Sequence, residues 1–202
     1  MVEFFLSLSL DTVKEGDRGI LSPCGILCLG CDTHLGEGIE AAKNIVDIWE
    51  GWNMLDVGPA LGLNEKGIRT TLKTLKKYIK MGSRGLCPGC FNNQGPPSAI
   101  CGIANCVKSK GYWTCAECDD YDPESETPCP NINKNAMPIA DKGQMSKIIC
   151  ARYSKDTVNN LKKCREIGYD AFIKEAKEKV KNGWRTWQII SDEMLFTDAL
   201  KK

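Results

Sequence analysis

Ten of the chain's twelve cysteines fall between Cys24 and Cys129, and their spacing constrains the fold more than any other feature. They run Cys24-x3-Cys28-x2-Cys31, then, after a gap of more than fifty residues, Cys87-Pro-Gly-Cys90, Cys101-x4-Cys106, Cys115-Ala-Glu-Cys118 and Cys129-Pro130. Two residues between cysteines is the spacing of a metal knuckle, because such a turn aims both thiolates and nearby backbone N–H groups at one ion. The segment 83–130 is also rich in Gly, Pro, Asn and Asp, with little periodic apolar character. A segment of that kind needs something besides burial to fix it, and metal binding supplies folding free energy directly. Cys24, Cys28, Cys31, Cys87, Cys90, Cys101, Cys106, Cys115, Cys118 and Cys129 are therefore the candidate metal ligands.

Clustered thiols read as metal ligands in a reducing compartment and as disulfides in a secreted chain. Disulfide frameworks serve chains too small to build a core, whereas these 202 residues carry several amphipathic helical patterns and suffice for a modest core. The apolar run Phe4-Phe5-Leu6 is short and follows Glu3. It is expected to be a first strand or helix on the core rather than a signal peptide. No stretch reaches the ~18 apolar residues of a membrane span. A cytoplasmic protein without a membrane partner is the expectation. The formal net charge of +1 removes any bulk electrostatic case for nucleic acid.

After the first three cysteines the pattern turns helical. Over 36–52, Ile39, Ala42, Val46 and Trp49 recur at helical spacing, with Ile45 beside them, and Trp49 and Trp52 are expected in the core. Gly58-Pro59 breaks the connection over 53–63, and Asn64 has the character of an N-cap. The helix that follows runs to Met81. It has an apolar stripe of Ile68, Leu72, Leu75 and Ile79 and a basic face of Lys66, Arg69, Lys73, Lys76, Lys77 and Lys80, expected to be solvated. A short helix is expected over 102–110. Glu117, Asp119, Asp120, Asp122, Glu124 and Glu126 read as a solvated acidic loop, lacking the glycine and terminal Glu of a calcium loop.

Past Pro138, helical patterns run over 141–153, 154–167 and on to Lys181, the last with Phe172, Ile173, Ala176 and Val180. Cys150 and Cys164 lack ligand spacing and read as small buried hydrophobes. Trp184, Trp187, Ile189 and Ile190 suggest a short strand or a docking segment, and Ser191 a last helix start. The expected organisation is a cysteine-rich metal-binding region over 1–135, including the helices about 36–52 and 64–81, and a helical extension over 136–202 packed on it. The expected fold class is mainly α with irregular cysteine-rich metal-binding loops, a small α+β arrangement remaining open.

Zinc is the default ion for a cytosolic all-cysteine site, since it takes four thiolates in a tetrahedron and needs no redox partner. Cys87, Cys90, Cys115 and Cys118 make two knuckles suited to one such site. Cys24, Cys28 and Cys31 supply three ligands of a second, with Cys101, Cys106 or Cys129 as the fourth. His34, the only histidine, is read as a capping or exposed residue, because the cysteines suffice without it. A 4Fe–4S cluster is the alternative, as it too takes four thiolates. Cys24-x3-Cys28-x2-Cys31 resembles the cluster motif of radical S-adenosylmethionine enzymes, and Cys129-Pro130 the end of ferredoxin motifs. The chain has no room for the large α/β barrel of the former and lacks the tight cysteine run of the latter.

Taken together, Cys24-Gly-Ile-Leu-Cys28-Leu-Gly-Cys31, Cys87-Pro-Gly-Cys90, Cys101-Gly-Ile-Ala-Asn-Cys106, Lys110-Gly-Tyr-Trp-Thr-Cys115-Ala-Glu-Cys118 and Pro128-Cys129 resemble a family of uncharacterised cysteine-rich proteins. The family belongs to bacteria and archaea, is frequent in anaerobes and forms a domain of unknown function. The resemblance spans roughly residues 20–130. It implies the fold and metal binding, zinc in the first place, and no reaction.

The function expected is an interaction or accessory module with structural metal sites and a protein partner. The alternative is an iron–sulfur protein in electron transfer or cluster chemistry. Nucleic-acid binding through the basic helix, with Tyr112 and Trp113 stacking on bases, is disfavoured by the balanced charge and the acidic run. Nothing in the second half of the sequence resembles a catalytic constellation, and one histidine in the whole chain fits hydrolytic metal chemistry poorly.

Overall fold

The computed structural model describes residues 8–82, 85–93, 99, 101–124, 129 and 154–189. The apolar start at Phe4, the helix expected over 141–153 with Cys150, and the helix start expected at Ser191 lie outside them. The fold is mainly helical with irregular cysteine-rich loops. Among the described residues the only extended pairing is an isolated bridge between Leu21 and Leu27, and no helix is long and apolar enough to cross a membrane. The chain divides into two compact units, Leu35–Leu86 and Met1–His34 with Cys87–Lys202.

The smaller unit contains α2 (Glu37–Gly51), α3 (Met54–Ala60) and α4 (Glu65–Gly82), preceded by the short turn α1 (Asp32–Leu35). The Asn64 side chain accepts from Gly67 N at 3.1 Å, the N-cap that its position predicted. Ile68 of α4, Ala42 and Val46 of α2, and Met54 of α3 are buried. The six basic residues of α4 are exposed, as a solvated face requires. Arg69 pairs with Glu65 at 2.7 Å, and Lys76 with Glu50. Such exposed pairs contribute at most about 1 kcal/mol each.

The expectation for Trp52 is overturned. It caps the C-terminus of α2 and is 63% exposed, with Trp49 half-buried and Ile45 also exposed. The buried line on α2 runs through Ala42 and Val46, and it has swung away by the time the helix ends.

The larger unit is built from short 3-10 turns, the helices α5 (Gly102–Ser109), α6 (Ser154–Ile167) and α7 (Tyr169–Lys181), and a final 3-10 turn, Thr186–Ile189. Trp184 and Trp187 therefore flank or lie in a helical turn, not a strand, and Trp187 is 57% exposed. The core joins Val13, Ile20, Leu21 and Leu27 to Ile103, Val107, Trp113, Ala116 and Tyr121, and to Leu161, Tyr169, Phe172, Ile173 and Ala176. Cys164 is buried there as a small hydrophobe.

The segment expected to need metal thus contributes much of the apolar core as well. Its apolar residues are placed by turns instead of by a regular period, which hides them from pattern reading. Trp113, fully buried, donates from Nε1 to Arg18 O at 3.0 Å and meets the Tyr169 ring edge-on, centroids 4.7 Å apart. It is not available to stack on bases.

Two glycines set the turns that bring the cysteines in. Gly25 has φ +95, and a Cβ there would collide with Thr157 O of α6. Gly89, inside the Cys87–Cys90 knuckle, has φ +86, and a Cβ there would strike Gly19 O. Only glycine adopts such a backbone without strain and leaves room for the approach. Gly25→Ala is expected to destabilise the protein by about 2 kcal/mol or more, the left-handed conformation alone costing about 1–2 kcal/mol. Urea unfolding of the variant measures it, and a near-neutral change would contradict the packing of this turn on α6.

Candidate metal centre

The ten candidate ligands, all in the larger unit, sort into two groups. The first comprises Cys106 on α5, Cys115 and Cys118 on the turn that follows, and Cys129. With Ile103, Val107, Lys110, Tyr112, Asp120 and Tyr121 they line one cavity of about 20 Å³, room for a single atom-sized guest. The Cys115–Glu117 turn is closed by a capping box: Thr114 Oγ1 accepts from Ala116 N at 3.1 Å, and Glu117 Oε1 accepts from Thr114 N at 3.2 Å.

Helix α6 clamps this turn from outside. Arg165 donates from Nε to Ala116 O at 2.9 Å and from Nη2 to Cys118 O at 2.7 Å. Burial pushes the Cys115 thiol far above the ordinary thiol range, and the neighbouring Cys24, Cys129, Cys118 and Cys106 push it further. Among the described residues the buried Tyr121 hydroxyl has no hydrogen-bond partner, an orphan donor in the lining of a thiol-rich cavity. Lys110 reaches Cys118 Sγ at 3.1 Å and Asp120 Oδ2 at 2.9 Å. These two partners raise the ammonium pKa, and Lys110 holds the Asp120 carboxyl below the usual carboxylate range.

The second group gathers Cys24, Cys28, Cys31, Cys87, Cys90 and Cys101. Its first turn is fixed by Ser22, whose Oγ accepts from Ile26 N at 2.7 Å and lies 3.2 Å from Cys24 Sγ. Asn160 of α6 donates to Gly25 O at 2.9 Å, and Thr186 to Leu27 O at 2.7 Å. Burial pushes the Cys24 thiol up to about 12, with Cys90 and Cys101 adding to the rise. Cys28 is raised by its hydrogen bond to Cys90 and by burial. Cys87 is raised by burial, and by Cys90 and Cys31 nearby. Cys87 N donates to Thr33 O at 2.9 Å, and the Cys87 carbonyl lies 2.7 Å from His34 Nδ1.

The arrangement corrects the expected allocation. Cys90 meets Cys24 and Cys28, whereas Cys115 and Cys118 share a cavity with Cys106 and Cys129, so the two knuckles border different groups, with Cys24 near both Cys90 and Cys115. The acidic run is corrected in part. Glu117 is an internal acceptor, taking hydrogen bonds from Trp113 N at 2.5 Å, Tyr169 OH at 2.8 Å and Leu10 N at 3.0 Å besides Thr114 N. Asp119, Asp120, Asp122 and Glu124 are exposed, and Glu126 lies outside the described residues. Among the described residues, no group of three or more His, Cys, Asp or Glu side chains is already arranged to hold an ion.

The donor chemistry nevertheless suits a thiophilic cation. Burial and neighbouring sulfurs favour the protonated thiol at Cys24, Cys28, Cys87 and Cys115 in the ion-free chain. A bound divalent cation inverts that balance and deprotonates a coordinating thiol outright. Pattern reading missed Lys110, Glu117, Asn160 and Arg165, since nothing in their spacing marks which loop a helix side chain will meet.

The chain belongs to the family DUF3795, described as a protein of unknown function, whose match covers residues 20–134. No curated protein and no solved structure matches it.

Proposed function

We infer that this DUF3795 protein is a cytoplasmic metal-binding module, zinc being its ion, in which structural sites hold the cysteine loops of the larger unit while the smaller unit offers a surface to a protein partner. The observation that carries the reading is the cavity of about 20 Å³ bordered by Cys106, Cys115, Cys118 and Cys129, with an orphan hydroxyl and an ammonium group beside it. Four thiolates are the complete shell of a structural zinc, which leaves no open position for a substrate or a water. Support for a protein partner comes from α2 and α3, where Ile48, Trp52, Val57 and Leu61 are exposed. Elemental analysis of protein purified without oxygen tests the ion. Zinc is the expected result, and protein devoid of metal after gentle purification overturns the reading.

A second reading has its own support in the six-cysteine group, whose Cys24-x3-Cys28-x2-Cys31 spacing also suits a 4Fe–4S cluster. Such a protein would serve electron transfer or cluster chemistry in anaerobic metabolism. Brown protein with acid-labile sulfide would establish it in place of zinc at that group.

Lys110 has a role in either case. Its hydrogen bond to Cys118 Sγ, 3.1 Å long, offsets thiolate charge and orients the ligand. Lys110→Met is expected to weaken ion binding at the Cys106–Cys129 group by roughly 10-fold or more, the usual effect of removing an outer-shell partner. Competition against a chromogenic chelator reads it, and unaltered affinity would remove Lys110 from the site.

A further inference from the structure

We propose that the basic face of α4 is a docking surface for an acidic helix of a partner protein. The inference rests on the partner reading above and names the chemistry of that partner.

Lys66, Arg69, Lys73, Lys76, Lys77 and Lys80 are all exposed. At the turn of an α-helix they fall within a stripe about 100° wide and about 21 Å long. Exposure alone is what a solvated face requires, but the pattern of signs is not. Cations stand three or four residues apart at 66 and 69, 69 and 73, 73 and 76, 73 and 77, 76 and 80, and 77 and 80. Like charges at that spacing destabilise a helix. α4 contains one acid, Glu65, which pairs with Arg69.

Helix α7 has the opposite pattern. Asp170 and Lys174, Lys174 and Glu178, and Glu175 and Lys179 stand four apart with opposite signs, as suits a face left to water. The repulsion kept along α4 is relieved when an outside anion covers the stripe. Lys66, Lys73 and Lys77 make no ion pair among the described residues, so they are the cations such an anion would meet.

Two features select a protein helix over a nucleic acid. Glutamates three and four residues apart on a facing helix repeat at the ~5–6 Å spacing of the lysines. Glu65 and Glu50, paired with Arg69 and Lys76, also place carboxylates beside the stripe, where an unbroken line of phosphates would meet them. A protein helix can leave those two positions uncharged.

The full chain, purified without oxygen, is titrated into a fluorescein-labelled, alanine-based peptide with glutamates along one helical face. Saturable binding that weakens as salt rises is expected, with amide shifts centred on α4. Lys66→Gln, Lys73→Gln and Lys77→Gln together should weaken it about 10-fold, as three exposed ion pairs allow. Lys43→Gln, Lys174→Gln and Lys181→Gln remove the same charge from other exposed positions and should leave affinity nearly unchanged. Equal loss in the two triple variants, equal affinity for a peptide with its glutamates dispersed around the helix, no saturable binding, or tighter binding of an oligonucleotide duplex overturns this inference. Binding kept by the α4 variant and lost in Trp52→Ser also overturns it, and leaves the partner reading standing on the apolar surface of α2 and α3. Elemental analysis of the same samples tests the zinc reading independently.

Discussion

On the zinc reading, a strong chelator is expected to unfold the cysteine loops, residues 19–31, 87–93 and 101–124, while α2 to α4 keep their amide protection. The contrast follows from where the sulfurs are. No cysteine lies between Cys31 and Cys87, so the smaller unit draws its stability from apolar burial, with Ala42, Val46, Met54 and Ile68 at its centre, and from no thiol. A structural zinc in the larger unit would contribute on the order of 10–16 kcal/mol of binding free energy at pH 7. That would rival the ~5–15 kcal/mol of a whole domain, more than the apolar core around Trp113 could replace on its loss. The ion-free thiols also stand at close range, Cys28, Cys115, Cys118 and Cys129 buried and the others partly so, with Cys24, Cys28, Cys87 and Cys115 all raised above the ordinary thiol range. Hydrogen exchange followed by mass spectrometry, before and after chelation, separates the two units. Protection in the cysteine segments that survives verified metal removal would end the structural-metal reading.

Glu117→Ala is expected to cost about 3–5 kcal/mol, without touching any thiol. Its carboxylate accepts from Trp113 N, Thr114 N, Leu10 N and Tyr169 OH. Trp113 and Thr114 are fully buried, and their N–H groups would be left without an acceptor. Each stranded donor costs about 1–3 kcal/mol. Tyr169 OH would keep only Thr114 Oγ1, at 2.9 Å. Glu117→Gln retains one carbonyl oxygen and should lose less than half as much. Thermal unfolding of the zinc-loaded variants measures both. Equal stability in the alanine variant would show that water replaces the carboxylate, and that the residue is no more than the solvated acid its neighbours suggest.

How far each element was readable depends on the range of the interaction that makes it. The helix over Glu65–Gly82 and its Asn64 cap follow from residues three and four apart, and α7 likewise from Phe172, Ile173 and Ala176. Trp52 was misread because a stripe drawn on a helical wheel carries no mark of where the helix stops. Glu117 was misread because it sits in an acidic run, and its partners Leu10 and Tyr169 are 107 and 52 residues distant. The buried segment around Trp113 escaped notice for a related reason: its apolar residues converge through turns and so have no period.

The linear chain by itself determined the helices and the turns between paired cysteines, because both are closed by contacts within a few residues: the i to i+4 spacing of a helix, the two-residue turn between thiols. Tertiary structure alone decided which sulfurs are neighbours. Cys90 went to Cys28, and Cys115 and Cys118 to Cys106 and Cys129, because Gly25 packs on α6, Gly89 lies against Gly19, and Arg165 holds the Cys115–Glu117 turn. Spacing constrains neighbours along the chain. Which distant loops meet is set by the sum of many weak contacts across the core, and no local pattern encodes that sum.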